Sequence, residues 1–110
     1  MGFSMGGFGT WQTIVDHPDR FAAAVPLAGG PGQPAEAARC ARMPIWSFNG
    51  DMDEATTTAE ARSMVRALEA VGGRPRFTTF PEVEHGPTMT RAWDMPELWT
   101  WLAEQRLGAR

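Results

Sequence analysis

Near the start of the 110-residue chain, one serine stands between two glycines in the pattern G-x-S-x-G, as Gly2-Phe3-Ser4-Met5-Gly6. This spacing is typical of a sharp turn from a strand into a helix, where small glycines let the backbone segments approach closely. Such a turn would expose the Ser4 hydroxyl as a nucleophile, and the N–H of Met5 at the helix start could stabilise an oxyanion. The alternative is a glycine-rich helix start with an incidental serine, because five-residue patterns also occur by chance.

A serine nucleophile needs a base, and the base needs a carboxylate that orients it. The sequence contains two histidines. His17 precedes Pro18 at the predicted end of the first helix, and a structural role is favoured there. His85 follows a predicted strand, in the loop position where catalytic groups gather in parallel sheets. His85 is therefore the candidate base, and an ordinary surface-loop histidine is the alternative.

Three acids that could orient this base follow the second predicted strand, within Gly50-Asp51-Met52-Asp53-Glu54. In proteins that use such a serine turn, the chain order is serine, acid, histidine, which places the acid in this region. Asp51 and Asp53 are two residues apart and would point the same way in an extended stretch. Glu54 could instead cap a helix or form an ion pair. Position alone therefore leaves Asp51 and Asp53 as equal candidates.

Apolar periodicity and end signals predict the helices that would hold these loops. The first spans about residues 4–16, with Phe8, Trp11 and Val15 on one apolar face, and ends before Pro18. The second begins at a Thr57-x-x-Glu60 capping box and ends at glycines 72 and 73. A last helix starts near residue 94 or 95 with a proline in its first turn, and a short helix is predicted over 35–41.

Short apolar runs at residues 21–27 and 44–48 predict two strands, and residues 76–80 are predicted as a third. Strands that alternate with helices indicate a parallel sheet with right-handed crossovers and helices on both faces. The predicted fold class is therefore α/β with about three strands, and the strand at 21–27 would have an open edge. The large aromatics Trp46, Phe48 and Trp93 are expected in the core.

The composition favours one small globular domain and no nucleic-acid or membrane partner. Hydrophobic residues make up 43% of the chain and charged residues 21%, and the net charge is −3. No basic stripe suggests nucleic-acid binding, and no apolar stretch is long enough to cross a bilayer. The single cysteine, Cys40, can form no internal disulfide and is interpreted as unreactive.

Taken together, these motifs resemble carboxylesterases of the phospholipase/carboxylesterase and dienelactone-hydrolase-like type, within the α/β-hydrolase superfamily. Residues 2–7 are similar to the nucleophile elbow of that family. Asn49-Gly50-Asp51-Met52-Asp53 resembles its H-G-x-x-D, and residues 80–85 resemble its Y-P-x-x-x-H. The chain departs from the pattern at Asn49, where histidine is usual. It also departs at residues 55–57, where x-V-P is usual, and at Glu84, where glycine is usual.

The resemblance implies that residues 1–110 are the C-terminal part of a single α/β-hydrolase domain that starts at the nucleophile elbow. It also implies hydrolysis of a small-molecule carboxylic ester through an acyl-enzyme, with Ser4, Asp53 and His85 as catalytic residues and the Met5 N–H at the oxyanion. No metal or organic cofactor is expected. The chain is also expected to self-associate through an exposed sheet edge. The alternatives are a serine peptidase of the prolyl-oligopeptidase type and a non-catalytic remnant of the fold.

Overall fold

Four short strands form one parallel sheet in the computed structural model, which describes residues 1–108. They lie across the sheet in chain order: β1 (Gly2–Phe3), β2 (Pro26–Leu27), β3 (Trp46–Gly50) and β4 (Arg76–Phe80). Strands β3 and β4 pair along their whole length. Because every pairing is parallel, the carboxyl ends of all four strands lie at one edge of the sheet. The loops that follow the strands therefore meet there.

Helices connect and cover the strands: α1 (Met5–Asp16), α2 (Thr58–Ala70), α3 (Pro87–Trp93) and α4 (Pro96–Glu104), with a 3-10 helix at Pro34–Arg39. The predicted capping box at the start of α2 is present, with the Thr57 and Glu60 side chains each accepting from the other's backbone N–H. Helix α1 ends at Asp16, just before His17 and Pro18, as predicted. Helix α3 was not predicted, because its seven residues are too few to show a clear apolar period.

The α/β class with a parallel sheet is confirmed, but the strand count and the open edge differ from the prediction. The additional strand is β1, whose two residues are too short for any periodic signal. Within the predicted strand at 21–27, only Pro26 and Leu27 form regular pairs, with an isolated bridge from Ala24 to Ile45. Since β1 pairs with β2, the exposed edge on this side belongs to β1 and not to residues 21–27.

Apolar residues are buried on both faces of the sheet, as expected for parallel strands. One cluster lies under α1 and α2 and includes Trp11, Ile45 and Met64. The cluster on the opposite face contains the predicted core aromatics Trp46 and Phe48. The core prediction was wrong for Trp93, which is 44% exposed. Phe8, on the predicted apolar face of the first helix, is also 47% exposed.

Within residues 1–108, none of the helices has both the length and the apolar character needed to span a membrane.

Candidate active site

Ser4 lies in the turn between β1 and α1, in a backbone conformation that L-residues rarely adopt. Its φ of 57° and ψ of −114° are outside the ordinary regions, and its N–H donates to the Leu27 carbonyl at 2.9 Å. The first turn of α1 folds back over β1 so closely that a Cβ on Gly2 would lie 2.1 Å from the Gly6 carbonyl oxygen. A Cβ on Gly6 would meet nothing within 4 Å. The close approach therefore requires glycine at position 2, whereas contacts within the described chain do not require it at position 6.

Side chains from three strand ends form a continuous hydrogen-bonded row. The Oγ atom of Ser4 lies 2.8 Å from Nε2 of His85, and Nδ1 of His85 lies 2.6 Å from Oδ2 of Asp53. Ser4 follows β1, Asp53 follows β3 and His85 follows β4, so the sheet brings together residues that are distant in sequence. The structure thus places all three predicted catalytic side chains in direct contact.

The charge on Asp53 determines how protons are arranged in this row. Burial by itself raises the pKa of the Asp53 carboxyl, but hydrogen bonds from Thr56 and His85 favour the ionised form and hold that pKa below the ordinary 3.8. An ionised carboxylate only accepts hydrogen bonds, so Nδ1 of His85 must carry the proton that it shares with Asp53. In the neutral ring, Nε2 is then unprotonated and accepts the Ser4 hydroxyl. This arrangement suits a base that removes the serine proton.

Three backbone donors join the loop after β3 to the end of β4 and to the loop that follows it. The Asp51 N–H donates to the Phe80 carbonyl, and the Met52 N–H donates to the Val83 carbonyl, both at 3.0 Å. The Oδ1 atom of Asp51 accepts the Glu82 N–H at 2.6 Å. Of the two candidates that position alone left open, Asp53, which the family resemblance indicated, contacts His85, whereas Asp51 connects the two loops.

Glycine is required at the end of β3, because the His85 loop passes directly over it. A Cβ on Gly50 would lie 2.2 Å from the Val83 carbonyl oxygen. Asn49 and Gly50 are the last residues of β3, which thus extends beyond the predicted strand end at residue 48. Gly50 thus sets how closely the loop that carries Asp53 and the loop that carries His85 can approach each other.

Two side chains near Asp53, Thr56 in the same loop and Asn49 in β3, were noted in the sequence only as departures from a family pattern. The Thr56 hydroxyl donates to Oδ2 of Asp53 at 2.6 Å, and its backbone N–H donates to Oδ1 at 2.8 Å. The side-chain amide of Asn49 donates to the Thr56 carbonyl at 3.0 Å. Sequence reasoning missed these roles because a threonine beside an acid carries no pattern of its own.

The row of side chains lies beside an open cleft of about 370 Å³, whose lining includes Glu54, Glu84 and His85. The Phe3 ring packs against the His85 ring, with 5.0 Å between their centroids. Met5 begins α1 directly after Ser4, so its N–H has no acceptor within the helix, which is a position from which anions are commonly bound. Among residues 1–108, no three or more His, Cys, Asp or Glu side chains are grouped to hold a metal ion.

His17 takes no part in this site. It caps the C-terminus of α1, where its backbone N–H donates to the Thr13 carbonyl at 2.8 Å. This position agrees with the structural role that was favoured from the sequence.

Residues 1–95 match the profile of the dienelactone hydrolase family. The crystal structure of a thermostable esterase is similar with a TM-score of 0.87 and 32% identity, over 94% of this chain. A Klebsiella pneumoniae protein provisionally described as a dienelactone hydrolase has a TM-score of 0.73 and 23% identity over 94% of the chain. Puromycin hydrolase has a TM-score of 0.69 and 19% identity over 82%. For the last two, the likeness is one of fold alone. No curated protein matches the sequence.

The chain spans only part of each of these structures. It covers 29% of the thermostable esterase, 50% of the Klebsiella protein and 19% of puromycin hydrolase. The shared part includes nearly all of this chain, so the α/β-hydrolase architecture of the relatives applies to the elements described above.

Proposed function

The chain belongs to the dienelactone hydrolase family, and we propose that it is a serine hydrolase that cleaves small carboxylic esters through an acyl-enzyme. The observation that supports this proposal most directly is the row from Ser4 through His85 to Asp53, with separations of 2.8 and 2.6 Å. A nucleophile within hydrogen-bond reach of a base, which is itself oriented by a carboxylate, is the arrangement that activates a serine hydroxyl. The similarity to an esterase at 32% identity supports the same substrate class.

In the first step of the proposed reaction, Ser4 Oγ attacks the ester carbonyl carbon while Nε2 of His85 takes the hydroxyl proton. The carbonyl oxygen becomes an oxyanion, which the N–H of Met5 stabilises. The intermediate then collapses: the bond to the alcohol oxygen breaks, and His85 returns the proton to the leaving alcohol. The products of this half-reaction are a free alcohol and an acyl group esterified to Ser4.

Water completes the cycle by the same chemistry. His85 takes a proton from the water as its oxygen attacks the acyl carbon, and then returns that proton to Ser4 Oγ as the acyl bond breaks. A carboxylic acid leaves, and the serine is regenerated. Throughout, the ionised Asp53 holds the proton of His85 on Nδ1 and stabilises the positive charge that the ring acquires.

The experiment that tests this proposal measures covalent labelling of the purified chain by a fluorophosphonate probe. We expect the probe to attach to Ser4 and the Ser4→Ala and His85→Ala variants to remain unlabelled, because the first lacks the nucleophile and the second lacks the base. Ser63→Ala is the matched control, since the Ser63 hydroxyl is exposed on α2 and bonds only to the Glu60 carbonyl. Mass spectrometry of the labelled peptide identifies the modified serine.

Labelling that persists in Ser4→Ala, or that is absent from a folded wild-type chain, would contradict the proposal. Substrate class is tested next, with p-nitrophenyl acetate as the ester and a short peptide p-nitroanilide as the amide. Turnover of the ester but not of the anilide is expected of an esterase. Faster turnover of the anilide would instead favour the peptidase alternative.

A further inference from the structure

We propose that Thr56 is a positioning residue, whose hydroxyl fixes the Asp53 carboxylate in the orientation that bonds His85, with Asn49 holding the Thr56 backbone in place. This inference rests on the proposed function, because it concerns the same row of side chains. Thr56 is specific to this chain, because valine is usual at position 56 in the family pattern.

All hydrogen-bonding positions of the Asp53 carboxylate are filled. The Oδ1 atom accepts the backbone N–H groups of Ala55 and Thr56 at 2.9 and 2.8 Å. The Oδ2 atom accepts the Thr56 hydroxyl and the His85 ring, both at 2.6 Å. An ionised carboxylate has about four lone-pair sites, so these four donors saturate it. Because the carboxylate is buried, loss of any one donor would leave an acceptor unsatisfied.

The Thr56 hydroxyl is the donor that makes this orientation independent of His85. The two backbone N–H groups hold only Oδ1, about which the carboxylate could still pivot. Without the hydroxyl, Oδ2 would be held by His85 alone, which is the group that Asp53 has to orient. With the hydroxyl, both oxygens are held by the loop itself, and the direction of Oδ2 is set before the ring bonds to it.

Asn49 attaches this loop to the sheet. Its side chain is fully buried in β3, and its amide nitrogen donates to the carbonyls of Thr56 and Gly50 at 3.0 and 3.1 Å. Its Oδ1 atom has no hydrogen-bond partner among the described residues. A buried unsatisfied acceptor destabilises a fold, so the hydrogen bonds that the amide nitrogen donates have to offset this cost. The Asn49 amide thus anchors Thr56, the residue that holds Asp53, to the strand β3.

The test compares Thr56→Val, which removes the hydroxyl at nearly constant size, with Thr56→Ser, which keeps it. Thr90→Val is the matched control, because the Thr90 hydroxyl is exposed and reaches only the Pro87 carbonyl. We expect Thr56→Val to lower the fluorophosphonate labelling rate about tenfold, the loss typical of one hydrogen bond to a charged group. We expect Thr56→Ser and Thr90→Val to stay within about twofold of the wild type.

A second measurement does not depend on activity. Carbon-13 NMR of the Asp53 carboxyl follows its titration in each variant. We expect the pKa of Asp53 to rise in Thr56→Val, because the charged form loses a donor, and to remain at the wild-type value in Thr56→Ser. A threonine that only filled space would leave this pKa unchanged. Should Thr56→Val not fold, Thr56→Ala allows the same comparison, since it removes the hydroxyl without placing a methyl group against the carboxylate.

The outcomes separate this inference from the proposed function. If the wild-type chain is folded but unlabelled, the proposed function fails, while the Asp53 titration still decides whether Thr56 holds the carboxylate. An unchanged Asp53 pKa in the variants without the hydroxyl would overturn the inference even if the wild type is active. Equal loss of labelling in Thr56→Ser and Thr56→Val would overturn it as well, because the retained hydroxyl would then have no effect.

Discussion

At the scale of single residues, the site combines a strained serine, the proposed nucleophile, with a fully hydrogen-bonded carboxylate. Ser4 has a φ of 57° and a ψ of −114°, a conformation that costs stability and directs its hydroxyl towards His85. Asp53, in contrast, is buried and receives four donors. Favourable interactions elsewhere in the fold therefore have to offset the strain energy of the Ser4 backbone.

We expect Ser4→Gly to raise the free energy of unfolding by about 1 kcal/mol, because glycine adopts positive φ without strain and this relief exceeds its entropic cost. Ser4→Ala is the matched control, since it removes the same hydroxyl and keeps the Cβ that causes the strain. Urea denaturation followed by circular dichroism measures both variants. A Ser4→Gly variant no more stable than Ser4→Ala would show that the turn is not strained.

At the scale of elements, the site depends on how the loops after β3 and β4 fit over each other. The Asp51 side chain and the Met52 N–H connect these loops, and the carboxyl end of β3 lies directly beneath Val83. The distance between Asp53 and His85 thus follows from backbone packing that involves neither of their side chains.

We expect Gly50→Ala to destabilise the chain by about 2 kcal/mol or more and to abolish labelling of Ser4. The added Cβ would lie 2.2 Å from the Val83 carbonyl oxygen, so the histidine loop would have to move away. Gly9→Ala provides the contrast, because a Cβ there meets nothing within 4 Å and alanine favours the interior of α1 by up to about 1 kcal/mol. Denaturation midpoints measure both changes. Equal stability of the two variants would contradict the close fit at Gly50.

At the scale of the whole molecule, the sheet has an exposed edge at β1. Beside this edge lies a groove of about 280 Å³ between α1 and the residues before β2, lined mainly by small and apolar residues that include Gly9, Thr13 and Ala23. Unpaired strand edges are templates for pairing with another chain. Self-association through a sheet edge was predicted from the sequence and stays a prediction, now assigned to β1.

We expect sedimentation velocity to detect self-association that increases with protein concentration. Thr13→Lys should weaken it, because Thr13 is exposed on α1 in the lining of this groove and a lysine would place charge beside the edge. Ser63→Lys on α2 is the control for the change in net charge. A chain that stays monomeric over a wide concentration range, or that responds equally to both substitutions, would contradict the role of the β1 edge.

Local signals in the sequence determined the order, type and approximate bounds of the longer elements. Pro18 ends α1 and the Thr57–Glu60 capping box starts α2, because both signals act between residues close in the chain. Residues 76–80 were also recognisable as the strand β4. The types of the chemical groups were also readable, since G-x-S-x-G and a histidine after a strand are placed as the proposed reaction requires.

The family resemblance named Ser4, Asp53 and His85, but only the tertiary structure decides whether these groups meet. Ser4 and His85 are 81 residues apart, and only the pairing of four parallel strands brings their loops to one edge of the sheet. The packing of the loop after β3 against the loop after β4 places Asp53, and not Asp51, against His85. Thr56 reaches Asp53 within its own loop, three residues along the chain. Contacts between distant segments depend on the register of strands and the packing of backbones, such as Gly50 beneath Val83. No local pattern contains that information, because it arises only when the whole sheet has formed.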